Sequence, residues 1–279
     1  MTLKRIYIAR HGYRANWLPI DQQPENPTGI DSDPPLAPYG VDQSKEMGQY
    51  FYNLPEEEQP ELIFTSPFYR CVETVEPTAK NLNLQVFLER GIGEWYKPNR
   101  GIIPEPADHE RLSKFFDNVS KDWDWATIIP SLDGENEAQI FVRAQKFWPL
   151  FLSKLNKQFP EVKTILFVTH AATKIALGMS LLKYDSTRDL LRPEDRVDAQ
   201  KSERLQASTC SVDLYELEGR DNWKIHLNGY TDFLTHGPEM NWHFASSQFE
   251  AGSKEDIESR RKQKEEQDRA NRRARQGRL

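Results

Sequence analysis

Lys4-Arg5-Ile6-Tyr7-Ile8-Ala9-Arg10-His11-Gly12 and Thr164-Ile165-Leu166-Phe167-Val168-Thr169-His170-Ala171 decide the reading of this sequence. Each begins as a short apolar run rich in β-branched and aromatic residues, the composition of a buried strand. Each ends at a histidine. In open α/β sheets the functional crevice lies beyond the carboxyl ends of the strands. Two histidines some 160 residues apart, placed alike at two strand ends, predict one shared site.

Working outward, strands and helices alternate. Residues 14–40 are rich in Pro, Asp, Asn and Gly and read as a long surface loop, a length usually kept for function. Val41 to Leu54 has helical periodicity, and Leu62-Ile63-Phe64 is a second apolar run. Ser66-Pro67 is expected to open a helix, with Ser66 as its cap and Pro67 in its first turn. Val86-Phe87-Leu88 is a third strand. Residues 104–133 read as an insertion with a short helix near Glu110 to Phe116. Asn136 to Phe159 is a long amphipathic helix, with a kink or break expected at Pro149. Ala171 to Leu181 is a small-residue helix, 184–207 a charged loop, and Ser211–Leu217 with Trp223–Leu227 two late strands. The alternation predicts an α/β fold: a three-layer α/β/α sandwich around a mainly parallel sheet.

At 279 residues, 37% hydrophobic and 29% charged, the chain fits one substantial domain with an appendage. We place the domain at 1–245 and a charged tail, helical or disordered, at 246–279. No signal peptide or membrane-spanning run is seen, and Cys71 and Cys210 read as buried, reduced thiols, so an intracellular location in cytoplasm or nucleus is expected. Residues 253–279 hold 10 Lys+Arg against 6 Asp+Glu, leaving 27 against 37 in residues 1–252. So acidic a body argues against direct nucleic-acid binding, except through the tail, and makes any basic site within it a local device for an anion.

Such a device is visible. Histidine is a phosphoryl acceptor because imidazole is partly neutral near pH 7. Arginine's planar fork meets two phosphate oxygens at once. Arg10-His11-Gly12 supplies nucleophile, clamp and, at Gly12, room for a phosphate to approach the backbone. Arg14 follows. Arg70 sits near a helix start, where an anion is already favoured. His170 can donate to a phosphate oxygen. Glu94 lies on the glycine-rich turn Gly91-Ile92-Gly93, and desolvation by Trp95 is expected to raise its pKa toward the range of a general acid. The catalytic candidates are thus His11, Glu94 and His170, and the substrate-binding ones Arg10, Arg14 and Arg70. His109, His226, His236 and His243 are expected to be structural or exposed, Asp31 and Asp33 to be turn residues, and Trp17, Trp123 and Trp125 to pack. With no His/Cys cluster at ligand spacing, no P-loop and no dinucleotide fingerprint, neither metal nor cofactor is expected.

These motifs resemble the histidine phosphatase superfamily, the phosphoglycerate-mutase-like fold, over roughly residues 4–245. They run in order: Arg10-His11-Gly12, Pro35-Leu36-Ala37 with Gly40 and Gln43, Ser66-Pro67-x-x-Arg70-x-x-x-Thr74, Gly134-Glu135 and Val168-Thr169-His170. The resemblance implies a phosphohistidine at His11, a phosphate pocket completed by Arg10, Arg70 and His170, and Glu94 as proton donor. Tyr13 and Arg14 stand where mutases carry an acidic or amide residue and serine, which resembles the phosphatase members. Hydrolysis of a phosphomonoester, on a protein or a small molecule, is therefore expected over mutase chemistry. Residues 8–14, 16–19, 66–70, 89–96, 146–150, 174–181, 240–242 and 250–253 further resemble the histidine-phosphatase domain found among TFIIIC subunits of the RNA polymerase III transcription machinery. That resemblance implies two alternatives: a partner of TFIIIC subunits in RNA polymerase III transcription, weakly active or non-enzymatic, or a free-standing relative. In the tail, Glu258–Lys262, Glu265–Arg269 and Asp268–Arg272 are spaced to support an exposed helix.

Overall fold

The computed structural model describes residues 2–98, 100–197 and 202–245, with positions 249, 255, 256, 258, 259 and 262. Seven strands form one sheet: β1 (Arg5–Arg10), β2 (Leu62–Thr65), β3 (Val86–Leu88), β4 (Val119–Ser120), β5 (Thr164–Thr169), β6 (Val212–Leu217) and β7 (Trp223–Tyr230). Their order is β4-β3-β2-β5-β1-β6-β7. β1 to β5 run parallel, and β6 pairs antiparallel with both β1 and β7, so the expected mainly parallel sheet is present.

The strand pattern builds two cores because successive side chains face opposite ways. Ile6 and Ile8 join one core with Phe64, Phe147, Phe151 and Phe167. Tyr7 and Ala9 join the other with Ile63, Val86, Leu166 and Val168. Helices α4 (Glu137–Gln158) and α5 (Ala171–Leu181) contribute to the first, α1 (Pro38–Tyr52) and α2 (Tyr69–Leu82) to the second. That is the predicted three-layer sandwich. A short α3 (His109–Leu112) belongs to the insertion.

Two local expectations change. Helix α2 begins at Tyr69 rather than at Ser66-Pro67, and Ser66 does not cap it. The Ser66 hydroxyl is instead 2.8 Å from His170 Nε2, while Asp33 accepts from the Tyr69 N–H at 2.8 Å. Helix α4 is continuous through Pro149, its N-terminus closed by a capping box between Asn136 and Gln139. Gly12 is also needed for packing. A Cβ there would lie 2.9 Å from the Gly40 carbonyl, and its N–H donates to Thr74. Among the described residues no helix is long and apolar enough to cross a membrane. The tail pairs, apart from Glu258 and Lys262, lie outside the described residues.

Candidate active site

The β1–β5 register creates the site. Arg10 pairs with Thr169, and the His11 N–H donates to the Thr169 carbonyl at 2.9 Å, so the two histidines leave neighbouring strands side by side. Their rings are 5.4 Å apart. His11 Nδ1–H donates to the Gly12 carbonyl at 2.8 Å, which leaves Nε2 with the lone pair. Burial, then the charges of Arg10 and Arg70 and the neighbouring His170, hold the His11 pKa well below 6.5. The imidazole is therefore neutral, as a nucleophile must be.

The six expected side chains come together. Arg10 is buried and bonded to the Ala207 and Met240 carbonyls, both at 2.6 Å. Arg14 stacks on Trp17, 4.9 Å from its ring centre, and burial lowers its pKa to about 10. Arg70 Nη2 donates to Glu94 Oε2 at 3.0 Å. The same carboxylate oxygen is 3.1 Å from His170 Nδ1 and 3.9 Å from Arg14 Nη1. With Nδ1 protonated, His170 donates to Glu94 and receives the Ser66 hydroxyl proton at Nε2. Burial lowers the His170 pKa to about 4.

Glu94 departs from expectation in its electrostatics. Burial alone would raise its pKa, but His170, Arg70 and Arg14 outweigh burial and hold it well below the usual carboxylate range. Trp95 does not simply desolvate it: the Trp95 N–H donates to Glu94 Oε1 at 3.0 Å.

Other residues at the site had been given no site role from the sequence. Asp33 closes the expected turn, its N–H donating to the Ile30 carbonyl, but it is also fully buried and sits 3.4 Å from Arg70 Nη1 while holding Tyr69 and Thr28. Ser66 and Cys71 contact His170, at 2.8 and 3.6 Å from Nε2. Gln43 accepts from the Tyr13 N–H. Asp256 is buried, and its charge acts on Arg14. Of the three tryptophans, Trp123 and Trp125 pack as expected. Trp17 packs as well, buried under Arg10 and Arg14 with its ring centre 6.2 Å from that of His11. His109 rests on Trp125, His226 lies 3.5 Å from Glu216, His236 faces Tyr39 and His243 meets Asn241.

His11, Glu94 and His170 bring ligand-type atoms within 4.8 Å of one another, a spacing a metal ion could use. The neighbouring arginines disfavour a cation there and favour an oxyanion, whose charge they offset.

A family model described as the histidine phosphatase superfamily (branch 1) matches residues 6–193. The chain is 47% identical to the transcription factor tau 55 kDa subunit of Saccharomyces cerevisiae, across 93% of this chain and 62% of that protein. It is 26% identical to the ecdysteroid-phosphate phosphatase of Drosophila melanogaster, across 61% of this chain and 26% of that protein. It thus spans less than two thirds of either relative. In fold it is similar to the ecdysone phosphate phosphatase of the silk moth in complex with tungstate (TM-score 0.58, 16% identity, 88% of this chain and 98% of that one). It is also similar to a mycobacterial glucosyl-3-phosphoglycerate phosphatase with inorganic phosphate (TM-score 0.52, 17% identity, 83% and 100%).

Proposed function

The chain belongs to the histidine phosphatase superfamily, and from that premise we propose that it hydrolyses a phosphomonoester through a phosphohistidine on His11. One observation carries the reading: a neutral imidazole with its Nδ1–H tied to a carbonyl, facing a second histidine within a cluster of buried arginines. The phosphate is held by Arg10, Arg14, Arg70 and His170. His11 Nε2 attacks phosphorus, and the bond to the leaving oxygen breaks as Glu94 delivers a proton to it. Water then attacks the phosphohistidine, giving its proton to the Glu94 carboxylate, and inorganic phosphate leaves with His11 restored. Arg14 supports hydrolysis over mutase chemistry, since it brings a further cation to the phosphate rather than a polar group for a second sugar hydroxyl.

The test is hydrolysis of phenyl phosphate by wild type and His11→Ala. Wild type is expected to form an acid-labile phosphoenzyme and to turn over, and His11→Ala to do neither. Equal rates in the two would falsify the proposal.

A second reading is favoured by the 47% identity to the yeast tau subunit: an intracellular interaction module of TFIIIC, with 1–245 as the domain and 246–279 as an appendage able to touch a partner or nucleic acid. Its test is affinity purification from the native cell, where co-purifying TFIIIC subunits support it and their absence removes it.

A further inference from the structure

A narrow crevice adjoins the phosphate pocket on the side of the acid. Glu94 lines it. So do Phe68 and Tyr96, together with Ile103, Pro104, Pro130 and Leu132 from two proline-containing segments. Phe68 joins crevice to site: its ring is 5.5 Å from that of His170, and the Arg70 guanidinium lies 4.8 Å over its face. Two features point to a ligand. The Tyr96 hydroxyl is buried and finds no hydrogen-bond partner among the described residues. Apolar side chains also stand exposed around the mouth: Leu132 at 57%, with Ile102 and Ile129, the neighbours of lining residues, at 82% and 53%. A surface cluster of this kind is characteristic of a binding site.

We propose that this crevice is the leaving-group subsite and that it selects phosphate esters of flat, uncharged, apolar alcohols. This deepens the phosphatase reading and rests on it. The acid must reach the ester oxygen, so whatever that oxygen carries lies against the surface next to Glu94. Aromatic, proline and aliphatic side chains make up most of that surface, with Arg90, Glu105 and Glu135 also lining it; on such rings a planar apolar group stacks and a charged chain loses hydration. A buried tyrosine hydroxyl adds a polar contact for orientation.

Non-hydrolysable phosphonates test the subsite without turnover. By calorimetry, 2-naphthylmethylphosphonate is expected to bind wild type at least about tenfold more tightly than methylphosphonate. His11→Ala should preserve the same ratio. In Leu132→Asp, at an exposed position that leaves the fold intact, the ratio should fall below about threefold while methylphosphonate binding stays unchanged. Equal affinity of wild type for the two phosphonates, or an unchanged ratio in Leu132→Asp, overturns the subsite. Loss of phosphatase activity as a reading is decided separately, by phenyl phosphate hydrolysis in His11→Ala.

Discussion

Three donors meet one oxygen at Glu94 Oε2: Arg70 at 3.0 Å, His170 at 3.1 Å and Arg14 at 3.9 Å. An oxyanion entering the pocket competes for these same groups. Once its charge offsets the arginines, less opposes the burial that pushes the carboxyl upward, so on the proposed reading substrate binding raises the Glu94 pKa and prepares it as the acid. The sign is testable. A group whose pKa rises on binding takes up a proton at any pH between its old and new values. Tungstate, dianionic near pH 6, is expected to bind with net proton uptake, read by calorimetry in two buffers of different ionisation heat. Affinity should weaken as pH rises, and Glu94→Gln should reduce the uptake. Proton release on binding would contradict this. The identity of Glu94 was legible in the sequence because a glycine-rich turn follows a strand there. Its charge state was not. Residues 14, 70 and 170 set it, and only tertiary structure brings them together, whereas Trp95, the one neighbour visible in the chain, suggested the opposite sign.

The same division holds for the elements. The turn that carries Glu94 is held from outside: Arg143 donates to the Gly91 and Gly93 carbonyls at 2.9 and 3.2 Å, Thr169 to the Ile92 carbonyl and Thr173 to the Gly93 carbonyl. Arg143 is fixed in turn by Glu135, and the Glu135 carbonyl accepts from the Trp95 indole. Arg143→Met leaves a buried carboxylate unpaired, at a cost of about 3–5 kcal/mol in stability. If the clamp also aims the acid, the variant loses rate most on esters with poor leaving groups, while phenyl phosphate KM changes little. A drop in melting temperature with no change in leaving-group dependence would make Arg143 structural only. The Gly134-Glu135 motif marked the segment in advance, but nothing in the chain tied it to Glu94. The start of α2 shows the reverse. Ser66-Pro67 carries a sound helix-opening pattern, yet His170 takes the serine hydroxyl and Asp33, from a loop 36 residues before Tyr69, takes the helix N–H. Local propensity lost to tertiary partners.

At the scale of the whole molecule the sheet was the most legible feature, because alternating strands and helices leave few topologies and the two histidines mark the carboxyl edge of both central strands. Charge distribution adds a consequence that no single residue carries. Residues 1–252 hold ten more acidic than basic side chains, while the arginines proposed to hold a phosphate are buried. On the proposed reading, a phosphorylated substrate approaches a body of its own sign and feels attraction only at the pocket. At an ionic strength of about 0.01 M the Debye length is about 30 Å, comparable with the molecule, and the repulsion acts on the encounter; at about 0.15 M it is about 8 Å and mostly screened. Buried contacts are screened much less. A phosphopeptide flanked by lysines should then show several-fold higher kcat/KM than one flanked by glutamates at low salt, with the gap closing as salt rises and kcat the same for both. A gap that survives high salt would instead point to a fixed peptide-binding surface near the pocket, and a preference for glutamates at low salt would mean that the field at the pocket mouth is positive and outweighs the acidic body.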